Sequence, residues 1–181
     1  MEPSGVEPGR DLTLSREDIV RLLVDVGRRL DANGIRGELF VVGGAAMALA
    51  YNTRRLTADV DGVFEPKSAI YDAARAVARE HRDLPADWLN DAVKGLLPGT
   101  DPGARVLLDV PGLTVSVPSP RYLLALKVQA ARIDRDSDDI DILAKECGAS
   151  TADEVLDIAA DVIGADRLQP KAQFLIKQLF P

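Results

Sequence analysis

Apolar residues recur at helical spacing from residue 19 onward. Ile19, Leu22, Leu23, Val26 and Leu30 repeat every three or four positions, Ser15 and Asp18 precede them as a capping-box pair, and Asn33-Gly34 closes the run. That pattern predicts an amphipathic first helix. GELFVV then reads as a short strand, AAMALAYN as a helix starting directly at Gly43-Gly44, and LTADVDGVF, residues 56–64, as a second strand. A further helix fits 67–81. The segment 83–103 mixes Pro and Gly with a short apolar piece around Trp88, which predicts a brief helix and then a loop. ARVLLDV and LTVSV flank Pro111-Gly112 as the two arms of a hairpin. From Ser119 the pattern is helical throughout: Ser119-Pro120 is a cap with Pro at the first helical position, Thr151 and Glu154 form a capping box, and Pro170 opens the last helix.

A small mixed sheet followed by a cluster of helices predicts an α+β, two-layer α/β fold. The expected organisation is a flexible N-terminus over 1–14, an α/β core over 15–118, and a helical C-terminal part over 119–181 packed on that core. Neither internal repeats nor low-complexity tracts are present.

Composition narrows the function classes. A chain of 181 residues, 46% hydrophobic, is long enough for one substantial core. Its 29 acidic and 22 basic residues leave a net charge of -7, which argues against nucleic-acid binding by overall charge and leaves room for a local basic patch. The single Cys147 excludes an internal disulfide, and no apolar run approaches the ~18 residues of a membrane span. The opening MEPSGVEPGRDLTL lacks the basic and apolar regions of a secretory signal, so a cytoplasmic location is expected. His81, the only histidine, reads as a surface residue, which leaves no histidine-rich zinc site.

Asp59 and Asp61 stand two apart on the second predicted strand. Strand alternation projects both from one face, about 6–7 Å apart at the backbone, while Val60 enters the opposite, buried face. Two carboxylates ~6 Å apart at an effective dielectric of ~20 repel by about 2–3 kcal/mol, a cost that a divalent cation between them removes. Oxygen ligands favour Mg²⁺ (or Mn²⁺), which commonly completes its shell with water and substrate phosphate. Gly43 and Gly44 end one strand and begin a helix, leaving free N–H groups, a positive dipole end and no Cβ in the way of a phosphate chain. An Asp-x-Asp alone reads as a solvated face and a Gly pair alone as a turn; together in one strand-helix-strand unit they predict a site for a metal-bridged nucleoside triphosphate. Arg54 and Arg55 read either as turn charges or as contacts to phosphate or nucleic acid.

A second constellation lies near the C-terminus. Lys127 sits among Leu123, Leu124, Val128 and Ala131, where an amine needs an anionic partner or must snorkel to water. Asp136, Asp138, Asp139 and Asp141 follow in RDSDDIDIL, suited to capping a helix N-terminus, with one of them available to face the site or steady Lys127.

VVGGAAMALAYNTRRLTADVD resembles the first motif of the polymerase-β-like nucleotidyltransferases, in a Gly-Gly variant seen in bacterial proteins related to the AbiEii and MenT toxins. ADWLNDAVKGLLP, SPRYLLALKVQAARIDRDSDDIDIL and RLQPKAQFLIKQLF are similar to further blocks of one bacterial branch, so the resemblance spans roughly residues 36–181. It implies that Asp59 and Asp61 hold the metal, that Gly43 and Gly44 cradle phosphate, and that Thr57 offers a hydroxyl beside the metal ligands. Lys127 then matches the lysine paired with the triphosphate, and Asp139, rather than Asp138 or Asp141, matches the acid at the start of the following helix. Two departures stand out. Many members carry Gly-Ser in place of Gly43-Gly44, and a third strand-borne carboxylate is common, for which Asp109 is the candidate.

The resulting expectation is a Mg²⁺-dependent transfer of a nucleoside monophosphate to an acceptor, catalysed by Asp59, Asp61, Lys127 and Asp139 with Gly43, Gly44, Arg55 and Thr57 at the nucleotide. Similarity to the toxins implies the 3′ end of tRNA as acceptor and a cognate antitoxin as partner. The alternatives are a protein-modifying transferase, suggested by the acidic charge, and a nucleotidyltransferase-fold binding module without turnover, acting as antitoxin or regulatory subunit.

Overall fold

The computed structural model describes residues 13–181 apart from Thr53. Its α+β fold matches the expectation. Helix α1 (Arg16–Ala32) leads to β1 (Gly37–Val41), α2 (Gly43–Ala50), β2 (Val60–Glu65), α3 (Lys67–Glu80) and the two-residue β3 (Leu89–Asn90). The hairpin β4 (Arg105–Val110) and β5 (Leu113–Val117) precedes α4 (Pro120–Ala130), α5 (Ile133–Glu146), α6 (Ala152–Ile163) and α7 (Pro170–Leu179). Of the N-terminus expected to be flexible over 1–14, residues 1–12 lie outside the described residues. Leu14 is fixed: it is buried, and its N–H donates to the Thr57 carbonyl at 2.6 Å while its own carbonyl accepts from Thr57 at 3.1 Å.

The predicted caps are formed. Ser15 and Asp18 satisfy each other's backbone N–H groups, as do Thr151 and Glu154, and the Ser119 hydroxyl accepts from Tyr122 N–H. These bonds hold otherwise unpaired helix-end donors and set where each helix starts.

Two predicted elements differ. The strand expected over 56–64 begins only at Val60; Thr57 instead makes an isolated bridge to Leu14. The brief helix expected at Trp88 is replaced by β3, followed by a single 3₁₀ turn over Lys94–Leu96. The reason is long-range: the Trp88 carbonyl accepts from Val60 N–H at 2.6 Å and the buried indole N–H donates to the Ala74 carbonyl at 3.1 Å. An apolar stretch too short to nucleate a stable helix is thereby captured at the sheet edge.

The strands lie in the order β3-β2-β1-β5-β4, with β1 antiparallel to β2 and parallel to β5. Leu39, Val41, Val60, Phe64, Leu113 and Val115 form the buried face, covered by α1 and α3. A Cβ on Gly37 would meet Ile70 of α3 at 2.9 Å and Leu30 of α1 at 3.1 Å, which shows how closely these helices lie on the strands. Strand parity puts Phe40, Asp61, Thr114 and Ser116 on the other, less covered face, as mixed and antiparallel sheets allow. Phe40 meets Tyr122 of α4 edge-on at 6.0 Å, linking the C-terminal helices to this second face. One continuous apolar core runs through both parts, from Leu23 and Leu39 to Leu124, Ile140 and Ile158. Among the described residues no helix is long and apolar enough to cross a membrane.

The β4–β5 turn docks on α1 by close backbone approach. Gly112 has φ +78°, and a Cβ there would stand 2.1 Å from the Gly27 carbonyl oxygen and 2.6 Å from the Asp31 nitrogen. Gly112→Ala combines left-handed strain with backbone overlap, and is expected to lower unfolding free energy by about 2–4 kcal/mol in a denaturant titration.

Candidate functional site

Helix α2 starts at a place where two elements converge. Val42, its N-cap residue, has no side chain able to cap, and Val42 N–H is used by the Asp61 carbonyl at 2.9 Å. The first N–H groups of α2 therefore have no helical partner. Gly43 takes φ +64°, and a Cβ on it would lie 3.5 Å from Asp61 Oδ2. A Cβ on Gly44 would lie 2.9 Å from Thr57 Oγ1 and 3.7 Å from Arg55 Nε. The pair thus forms a bare, donor-lined floor pressed between Asp61 on one side and Thr57 and Arg55 on the other.

This floor opens into a cleft of about 450 Å³. Asp59, just before β2, and Asp61 within it both line the cleft, while Val60 between them is fully buried. Burial, and then repulsion from Asp61, push the Asp59 carboxyl above its ordinary range, with Arg135 pulling the other way. Thr57, buried, donates its hydroxyl to the Asp59 carbonyl at 3.2 Å and so ties the approach to β2 to the Gly44 end of the cleft. Apolar side chains also line the cleft: Val93, Leu96 and Leu97 from the segment after β3, and Leu123 and Leu126 from α4.

Behind the cleft lies a buried charge quartet. Lys127 Nζ donates to Asp136 Oδ1 at 2.6 Å and to Asp139 Oδ2 at 2.8 Å, with the lysine side chain only 8% exposed. Arg55 reaches the same two carboxylates, at 3.0 Å to Asp139 and 3.7 Å to Asp136. Two cations and two anions leave the quartet neutral, the condition under which burial of charge is tolerated. Lys127 therefore has the anionic partners its apolar helix face demands, and does not snorkel. An ammonium has three donors, so one remains for the cleft that Lys127 also lines. Arg55 Nε has no protein partner. It is buried beside Gly44, 3.7 Å from where a Gly44 Cβ would stand.

The predicted residues Gly43, Gly44, Arg55, Thr57, Asp59, Asp61 and Lys127 all line this cleft. Asp139 is fully buried behind it and acts on Lys127 and Arg55 rather than on the cleft itself. Arg54 is exposed, and Asp138 and Asp141 point to solvent, Asp141 pairing with Lys145. Asp109 does not join Asp59 and Asp61: it pairs with Arg36 and Thr114 in register with Glu38, at the other end of β1 from Gly43. Asp136, by contrast, belongs to the quartet although the sequence favoured only Asp139. Its signal was periodicity, since Asp136 and Asp139 extend at i, i+3/i+4 spacing the buried stripe of Ile140, Leu143 and Ala144. Arg132 and Arg135 also line the cleft and carried no sequence signal beyond their charge.

The donors fit a hard divalent cation. Two carboxylates face one cleft beside a backbone floor, and no group of three metal-ligating side chains exists among the described residues. Mg²⁺ suits such a set, because it keeps water and accepts phosphate oxygens at its remaining positions. Comparison of the chain with protein-family models, with curated proteins and with solved structures finds no match in any of the three.

Two outcomes follow from the electrostatics. Asp139→Ala leaves Lys127 and Arg55 with one carboxylate between them, and should cost about 3–5 kcal/mol of stability by equilibrium denaturation. Asp59 binds its proton more tightly folded than unfolded, so its charge opposes folding at neutral pH and the penalty fades as pH falls through the folded value. Asp59→Asn should accordingly raise Tm at neutral pH without divalent cation, with the gain shrinking as pH approaches the ordinary value of 3.8.

Proposed function

We propose that the protein is a Mg²⁺-dependent nucleotidyltransferase. The observation that carries this reading is the mixed chemistry of one cleft: Asp59, Asp61 and the free N–H donors of α2 line it together with the aliphatic side chains of Leu96, Leu97, Leu123 and Leu126. A nucleoside triphosphate has the matching polarity, with a charged tail and a flat base of low polarity. In this reading an acceptor oxygen bonds to the α-phosphorus, the α–β anhydride bond breaks, the acceptor hydroxyl loses its proton and pyrophosphate leaves.

Asp59 and Asp61 are the residues that hold the ion, whose bound charge offsets that developing on the α-phosphate and lowers the pKa of the acceptor hydroxyl. The N–H groups at Gly43 and Gly44 donate to phosphate oxygens, relying on main chain where many relatives in the resembling family have a serine hydroxyl. Arg55 and Lys127 each direct a donor to the tail while the buried carboxylates hold them in place. Thr57 fixes the chain entering Asp59. Catalysis of this kind depends on positioning and charge, with no covalent intermediate on the protein.

By resemblance to the AbiEii and MenT toxins, the proposed acceptor is the 3′ end of tRNA and the proposed partner a cognate antitoxin. A second reading is favoured by Asp109, which sits away from Asp59 and Asp61 and leaves two carboxylates where three are common. That arrangement suits a single ion and slow turnover, or a module that binds nucleotide without transferring it.

Incubation with each labelled triphosphate, Mg²⁺ and total cellular RNA separates the two readings. Transfer into the tRNA fraction is expected, with Asp59→Ala or Asp61→Ala lowering the rate by at least about 10²-fold. Nucleotide binding with no label in any RNA or protein acceptor supports the binding module instead.

A further inference from the structure

We propose that Arg132 and Arg135 clamp the polyphosphate tail and supply the net positive charge that the rest of the cleft lacks, an assignment that rests on the nucleotide-binding reading above. Four cationic side chains line the cleft: Arg55, Lys127, Arg132 and Arg135. The first two are already neutralised by Asp136 and Asp139. Asp59 and Asp61 carry two negative charges that one divalent ion cancels. A triphosphate brings about four more, since each phosphoryl group keeps an acidic oxygen ionised at neutral pH and the terminal one keeps nearly two. Within the quartet and the metal pair no surplus positive charge remains to meet them.

Arg132 and Arg135 meet that need. Neither forms an ion pair with any carboxylate among the described residues, and both are exposed yet face the cleft. They sit three apart on the first turn of α5, Arg132 as its N-cap residue, so their side chains emerge on neighbouring parts of one helix face. Ala131 in the left-handed region, at φ 49°, makes the sharp turn from α4 that brings this helix end over the cleft.

Their position is unfavourable for the helix alone. Cations at a helix N-terminus stand against the positive end of the dipole, where acids such as Asp134 and Asp136 are the stabilising choice. Departures from a local rule are expected at functional sites, and the charge that Arg135 acts on is Asp59 of the cleft rather than a helix-capping group. Here the dipole end and the two guanidiniums add to one field directed at an anion. Guanidinium also suits the task chemically, because its fixed fork of donors binds two phosphate oxygens at once.

The full-length protein can be titrated calorimetrically with inorganic tripolyphosphate in the presence of Mg²⁺, comparing wild type with Arg132→Gln, Arg135→Gln, the double variant and Arg121→Gln. Arg121 serves as the charge control, because it pairs with Asp161 outside the cleft. Each single cleft variant should weaken binding about 5- to 10-fold and the double about 30-fold or more, with Tm unchanged or slightly raised and a shallower salt dependence. Arg121→Gln should bind as wild type does. In a transfer assay the double variant should raise KM for the triphosphate by a similar factor while kcat changes by less than about threefold. Wild-type affinity in the double variant overturns this assignment and leaves the nucleotidyltransferase reading standing. Failure of wild type to bind tripolyphosphate overturns both.

Discussion

A buried, electrically neutral quartet is the constraint on which the candidate site depends. Lys127 of α4, Asp136 and Asp139 of α5, and Arg55 of the segment between α2 and β2 meet in a space from which most water is excluded. Each charge is tolerable only because the other three are present. The segment carrying Arg55 also carries Thr57 and leads into Asp59, so the quartet fastens the start of β2 to the C-terminal helices. Apolar packing alone specifies such a junction loosely, whereas paired charges in a low-dielectric interior have few acceptable geometries.

The sheet supplies the complementary constraint. One face is closed by α1 and α3, which fixes the alternation of β1 and β2 and obliges the polar residues to the other face. Because β2 returns antiparallel beside β1, the start of β2 lies next to the end of β1, where α2 begins. Asp61 consequently comes within van der Waals reach of the position a Gly43 side chain would occupy. Bare backbone follows from turn conformation at Gly43, with φ +64°, and from crowding at Gly44, where a Cβ would stand 2.9 Å from Thr57 Oγ1. The same geometry brings charged, backbone and aliphatic groups into one cleft.

Much of this was legible in the sequence because it is local. Alternation along the chain put Val60 inside and the flanking Asp59 and Asp61 toward the cleft, although Asp59 itself precedes β2; capping pairs marked the starts of α1, α4 and α6; Pro111-Gly112 marked the hairpin. In each case the determining atoms are a few residues apart, so spacing in the chain translates directly into spacing in space. The strand called for by LTADVDGVF was right in kind but too long, because Leu14 claimed the Thr57 backbone that a ladder would have used.

Determined by the sequence itself were the α+β class, the helix starts and the burial of Val60 between two aspartates, all properties of local backbone geometry. Only the tertiary structure decided that Trp88 joins the sheet edge, that Asp136 stands with Asp139 on Lys127, that Asp109 lies at the far end of β1, and that Arg132 and Arg135 overlook the cleft. These depend on how helices cross and strands register over long separations. Their energies come from desolvation and pairing between partners that no periodicity brings together, so they emerge only once the core has formed.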